Sequence, residues 1–317
     1  RRWGSAIIAT KWSFEMKSIL QYVLKYISFI EFIAFILSLM FFHIAIIINN
    51  LTIKGIVASI SASFFFLFFM EFIENNRKLI ELYKFKRLFG SEAIKNEMYL
   101  VYPDFELNDK LKKFASEHKL AHFEKSKPKF SNSYRIDLDK AVADNDLRAL
   151  IYLTGLFGEI CKRTPKITVD SKIVEEPNRS FISFGLTSND CTHMYLVRSD
   201  KPAFQLVSNG NEPDYLAIYD EQGQELRYES SVGMCYGIIV KYHPDAVNYP
   251  NRIWMYCAGL GPDGTTGAAW YLSHNWETLY KKVGTSDFVA IIKVLYSDKD
   301  PIFEHYVKLP NGSENNE

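Results

Sequence analysis

Residues 26–48, YISFIEFIAFILSLMFFHIAIII, and 53–73, IKGIVASISASFFFLFFMEFI, decide how the rest of the chain is organised. Each offers about 20 nearly uncharged residues, the length an α-helix needs to cross the core of a bilayer. A hairpin buried in a soluble core would be amphipathic, whereas these segments are apolar all round, which favours lipid on every side. The polar break between them, Asn49 to Gly55, leaves almost no outer loop. The chain accordingly divides into leader residues 1–15, a two-helix transmembrane hairpin over 16–74, an amphipathic stalk over 75–90, a cytosolic α/β Rossmann-like domain over 91–307 and a disordered polar tail over 308–317. Met16-Lys17 reads as a natural start. The apolar run is longer than that of a signal peptide and no small-x-small cleavage motif follows, so a retained anchor is expected.

Charge orients the hairpin. Lys17 and Lys25 precede the first span and Arg77, Lys78, Lys84, Lys86 and Arg87 follow the second, against Lys54 in the connection, which places both termini in the cytoplasm. Gly55, Ser59 and Ser63 recur every four residues and make one face of the second helix small enough for another helix to approach, within the hairpin or between subunits. Glu31 and Glu71 lie inside the apolar runs near their cytoplasmic ends. Such carboxylates reach the headgroup layer or, in an oligomer, ring the inner mouth of a pore.

The 37 basic and 37 acidic residues cancel, which removes the global electrostatic case for stable nucleic-acid binding. Cys161, Cys191, Cys235 and Cys257 stand far apart with no CxxC pair, the pattern of free thiols in a reducing compartment rather than a zinc or redox motif. No metal or cofactor is implied.

Beyond Gly90 the text is that of an alternating α/β domain, with strands expected at 98–102, 180–184, 253–258 and 288–295 and a long helix centred on 147–160. A Lys-rich stretch, 119–129, has few apolar anchors and reads as a solvated loop. The most informative soluble stretch is IWMYCA-GLGPDGTTG-AAWYLSHNW: a strand, a glycine loop and a helix expected from about Thr266. Gly259, Gly261 and Gly264 satisfy G-x-G-x-x-G, and the free N–H groups of the next helix would form an anion site, with Thr265 and Thr266 as hydroxyl donors or caps. A full dinucleotide-binding domain is not expected, because the loop sits near the C-terminus and the following acidic residues come too late. A second strand-to-loop junction, SFISFG-LTSND, places Gly185, Thr187, Ser188, Asn189 and Thr192 where a strand leaves its sheet. Loops at like ends of neighbouring strands would form one crevice, to which Arg179 or Arg198 could add a phosphate contact.

Enzyme signatures are weak: there is no Walker loop, G-x-S-x-G or HExxH. A Cys191–His193 or Cys–His274 nucleophile pair would need convergence in space, and Asp137-x-Asp139 reads as helix capping.

A hairpin followed by an α/β domain carrying FISFGLTSN and AGLGPDGTTGAAWYL resembles the two-transmembrane effectors of bacterial anti-phage defence, of the cyclic-oligonucleotide signalling or retron type. The resemblance implies a bacterial inner-membrane protein whose cytosolic domain senses a nucleotide-type second messenger or partner. Its hairpins would then assemble as a homo-oligomer and breach the membrane, so that infection aborts with loss of the host. The alternative is a membrane-anchored enzyme acting on a nucleotide or nucleoside in the same crevice.

Overall fold

The computed structural model describes residues 29–106, 113, 140–198, 202–208, 214–220, 222–296 and 300–309. The leader, Lys17, Lys25, the Lys-rich stretch, the Asp137/Asp139 pair and residues 310–317 of the tail lie outside the described residues, as do the side chains of Glu31 and Arg198, whereas Lys308, expected in the disordered tail, ends a strand. Two compact units make up the chain, Arg1–Tyr83 and Lys84–Glu317.

In the first unit, α1 (Phe29–Ile47) is followed after a short break by α2 (Leu51–Phe89), whose last residues belong to the second unit. Asn50 starts α2: its Oδ1 accepts the N–H groups of Thr52 at 3.1 Å and Ile53 at 3.2 Å, satisfying donors that a helix start leaves open. The helices meet through small and aromatic side chains. Ser38 Oγ donates to the Ser61 carbonyl at 3.1 Å and Ser61 Oγ to the Ser38 carbonyl at 2.9 Å, beside ring contacts Phe35–Phe68 and Phe41–Phe64. Most other apolar side chains face outward; Phe42 is 58 % exposed and Phe66 61 %. Helix α2 is long and apolar enough to cross a membrane, and the apolar stretch Phe32–Ile47 is shorter. Gly55, Ser59 and Ser63 lie on an exposed face, the two hydroxyls bonded back to the carbonyls four residues earlier at 3.0 Å. Glu71 is exposed.

The second unit opens with the end of α2 and α3 (Ser91–Lys95). β1 (Tyr99–Tyr102), the short strands β2 (Phe105–Glu106) and β3 (Lys140–Ala141), α4 (Asp144–Cys161), β4 (Lys166–Val169), α5 (Asp170–Glu175), β5 (Phe181–Phe184) and α6 (Asp190–Arg198) follow. Next come β6 (Phe204–Val207), β7 (Tyr215–Tyr219) and β8 (Glu225–Glu229), an antiparallel sheet of their own. β9 (Met234–Tyr242), β10 (Trp254–Gly259), α7 (Gly261–His274), α8 (Trp276–Val283), β11 (Phe288–Leu295) and β12 (Ile302–Lys308) complete the order.

The main sheet runs β12-β11-β9-β10-β5-β1-β4. β4, β1, β5 and β10 are parallel, while β9, β11 and β12 pair antiparallel. Apolar helices and an α/β domain are therefore present as expected, but the sheet is mixed, unlike the mostly parallel sheet of a Rossmann fold. Parallel neighbours need a crossover, which helices supply on both faces of the sheet; β11 and β12 are joined by a short connection that leaves room only for reversal. One face is covered by α4, α7, α8 and the end of α2, the other by α5, α6 and the small sheet, giving three layers over two apolar cores.

The end of α2 is core. Phe85, Leu88 and Phe89 are fully buried, and Phe85 meets Phe157 edge-on at 5.1 Å and Trp276 at 5.4 Å. Gly90, at φ +88°, terminates the helix in a conformation suited to glycine. Lys241, 1 % exposed on β9, donates from Nζ to the carbonyls of Arg87 at 3.3 Å and Thr285 at 3.1 Å. Burial lowers its pKa to about 8, against the opposing pull of Asp287.

Helix α7 lies unusually close to the sheet. A Cβ on Gly264 would stand 2.5 Å from the Tyr236 carbonyl oxygen, and one on Gly259 2.6 Å from the Gly264 Cα; Gly237 and Gly267 are blocked by Gly264 and Val294. In contrast, Gly155 on α4 has open space around it. Alanine should stabilise at Gly155 by about 0.5–1 kcal/mol through helix propensity. At Gly264 overpacking of about 1–3 kcal/mol outweighs that gain, so Gly264→Ala should lower, and Gly155→Ala raise, the thermal midpoint of the full chain in detergent.

Candidate functional site

β5 and β10 are parallel neighbours, in register from Phe181↔Trp254 to Phe184↔Cys257. Their outgoing connections part: α6 contributes Cys191, Met194 and Tyr195 to one core, α7 contributes Ala268, Ala269 and Leu272 to the other. Strands that send their helices to opposite faces open a crevice beyond their carboxyl ends, the common place for ligands in open α/β sheets. The two polar stretches singled out in the sequence thus leave the sheet side by side.

Within the first stretch, roles divide between scaffold and surface. Gly185 stands at φ +104°, where a Cβ would also lie 2.5 Å from Ser188 Oγ. Its N–H donates to the Cys257 carbonyl at 3.0 Å and its own carbonyl accepts Thr192 Oγ1 at 2.9 Å. Asn189 is wholly buried: Nδ2 donates to the Phe184 and Val101 carbonyls at 2.9 and 3.4 Å, and Oδ1 accepts the Cys191 N–H at 2.9 Å. Asn189 therefore pins the loop between β1 and β5 and starts α6. Thr187 and Ser188 remain exposed to a ligand.

The second stretch is not a loop. β10 continues to Gly259 and α7 begins at Gly261, five residues before the expected start at Thr266, with Pro262 in the first turn and Leu260 as the connection. Pro262 suits a helix start because its missing N–H has no partner there in any case. Gly259 and Gly264 are spent on the contact between α7 and the sheet. Thr265 is buried, and Thr266 Oγ1 donates to the carbonyls of Pro262 at 3.2 Å and Asn145 at 3.4 Å, so neither threonine caps the helix. Gly261, at φ +72° and exposed, joins Thr187 and Ser188 on the open rim. Asp263 sits in the first turn of α7 and Asp190 in that of α6, partly offsetting the helix dipoles that would draw a phosphate.

Of the other candidates, Arg179 and His274 lie elsewhere. Arg179 precedes β5, at the end of the sheet away from the crevice, and pairs with Glu176 at 3.2 Å. His274 ends α7, stacked on Trp270 at 4.3 Å, while His193 bonds to the Thr187 carbonyl at 3.0 Å. The four cysteines are unpaired, and burial drives the Cys191 thiol far above its usual range, so no activated Cys–His pair forms there. Among the described residues no group of three or more His, Cys, Asp or Glu could hold a metal ion.

Two aspartates that the sequence reading passed over reach the same rim. Asp170 follows β4 and accepts the N–H groups of Asp104 at 3.0 Å, Ser171 at 2.9 Å and Asp190 at 2.9 Å, tying β1, β4 and α6 together. Asp146, in the first turn of α4, is 4 % exposed and takes no hydrogen bond or ion pair among the described residues. Burial first, then the charge of Asp170, pushes its carboxyl from 3.8 up to about 6. A signal was present: Asp146 falls in line with Leu150, Leu153 and Phe157 on the apolar stripe of α4.

No protein-family model and no curated protein matches the chain.

Because the folded state holds the Asp146 proton more tightly than the unfolded chain, ionisation above pH 6 destabilises the fold by on the order of 2 kcal/mol. That penalty disappears as pH falls through about 6 toward 3.8. Asp146→Asn should therefore melt above the wild type at pH 7.5, with the difference shrinking to less than half as the pH is lowered to 4.5. A constant difference across that range would show that the Asp146 charge is not the cause.

Proposed function

We propose that this chain is a membrane-anchored effector of anti-phage defence. Its hairpin spans the bacterial inner membrane twice with both termini cytoplasmic. Its cytosolic α/β domain takes a nucleotide-type signal at the crevice between β5 and β10, and the response is hairpin oligomerisation and loss of membrane integrity. The observation that carries this reading is the single helix α2: apolar and exposed over its first half, it becomes core at Phe85, Leu88 and Phe89 of the domain that holds the crevice. A ligand that shifts this domain has a continuous helix through which to act on the hairpin. The exposed Gly55, Ser59 and Ser63 face supplies a surface for a second copy, and Glu71 a carboxylate for the inner pore mouth.

A second reading, a membrane-anchored enzyme acting on a nucleotide or nucleoside, is favoured by Asp146, whose carboxyl titrates near neutral pH as a general acid or base must. Turnover of a nucleotide panel by the purified full chain would establish it.

The effector reading is tested by dye leakage from induced cells with the trigger present. Thr187→Glu adds charge to the exposed rim without a packing conflict and should abolish leakage while leaving expression and membrane insertion intact. Undiminished leakage in that variant would sink the crevice as the sensing site.

A further inference from the structure

We infer that Asp146 is the ligand-contacting carboxylate of the crevice and that it accepts hydrogen bonds from the vicinal hydroxyls of a nucleoside sugar. This assignment rests on the nucleotide reading of the crevice and narrows it to ligands that carry a free ribose diol.

Asp146 does not behave as a helix cap. Ala143 holds the N-cap position of α4 with no side-chain bond, and the Asp146 N–H donates to the Ala143 carbonyl at 3.1 Å. A capping aspartate is solvated and bonded to free N–H groups, whereas this one is buried and takes no bond among the described residues. Its neighbour in the same turn, Asp144, is the ordinary surface case, exposed and paired with Arg148 at 2.8 Å. Burying a carboxylate without a partner is costly, and positions that retain one are concentrated at functional sites.

The surroundings select the class of partner. Asp170 offers no relief, since its oxygens are already engaged by three backbone N–H groups and its charge repels. Asp263 and Asp190 occupy the first turns of the other long helices that start at this edge. Among the described residues the rim carries more carboxylates than cations, which suits hydroxyl donors better than phosphate oxygens. A sugar diol gives two O–H donors at the spacing of one carboxylate, the way an acidic residue commonly reads ribose in α/β nucleotide sites. Thr266, whose hydroxyl bonds to the Asn145 carbonyl at 3.4 Å, links α7 to the same turn and places the exposed Gly261 end of α7 beside it.

The test is calorimetric titration of the full chain in detergent with the four ribonucleoside 5′-monophosphates and their 2′,3′-dideoxy counterparts. At least one ribonucleotide should bind the wild type, and its dideoxy form should bind about 30-fold more weakly or worse, the scale of losing charge-assisted hydrogen bonds. In Asp146→Asn the preference should collapse, both forms binding as weakly as the dideoxy form does to the wild type. Should that variant fail to fold, the wild-type comparison decides alone. Equal affinity for both forms in the wild type, or a retained preference in the variant, overturns the role of Asp146 while leaving nucleotide binding standing. Absence of binding by every nucleotide removes the nucleotide reading and this assignment with it.

Discussion

The contact between α7 and the sheet is made by backbone rather than by side chains, and much of the domain depends on it. Gly237, Gly259 and Gly264 bring β9, β10 and the helix within a distance that any Cβ would block. Once α7 is seated there, its Ala268, Ala269 and Leu272 fill the space beneath α4 and close one of the two cores. The same seat determines where the N-terminus of α7 emerges beside the β5 loop. Four glycines in and around a helix lose intrinsic stability. The close packing they permit supplies the compensation.

Helix α2 poses the complementary problem, one element with two different halves. Its early residues have no polar face to offer water, and its pairing with α1 through Ser38 and Ser61 resembles the small-residue contacts of membrane helices rather than a soluble core. Toward its end the composition changes: Glu74 and Lys78 form an exposed pair at 2.7 Å, and then the aromatic residues turn inward. The terminal carbonyl of Arg87 is not left to solvent but receives Lys241. That lysine gives up solvation for two carbonyl partners, a trade that suits a fixed helix end better than a frayed one.

The two apolar helices were legible because long runs that are apolar on every side stand out from the amphipathic pattern of a soluble helix; α2 has the length to cross a membrane, whereas the apolar part of α1 is shorter. β5, β10 and β11 announced themselves as short apolar runs, and α4 by its periodicity. The polar residues that end β5 and β10 marked both exits, but that the two strands are neighbours was an assumption until their pairing showed it. Sheet direction was not legible, since local pattern says which segments are strands but not which way β9 and β11 lie against β10. The start of α7 was misplaced for a physical reason: glycine lowers helix propensity, so GLGPDGTTG reads as a loop until the sheet beneath it explains the missing side chains. Asp146 was hidden by chemistry, because an aspartate in a first helical turn has an ordinary capping explanation that only burial removes.

Lys241 and Asp146 together show how the domain divides its work. Both are buried charges on the one three-layered body, but they lie toward opposite edges of the sheet: Lys241 pairs in register with Met255 near the start of β10, whereas the crevice opens beyond its end. Lys241 is compensated by carbonyls and belongs to the seat of α2. Asp146 takes no hydrogen bond or ion pair among the described residues. A ligand moves a conformational equilibrium only as far as it distinguishes the two states. On the proposed reading, a ligand that hydrogen-bonds Asp146 in one state only would shift such an equilibrium by that difference in affinity. The strand that carries the shift would be β10, which begins beside the helix seat and ends one residue before α7.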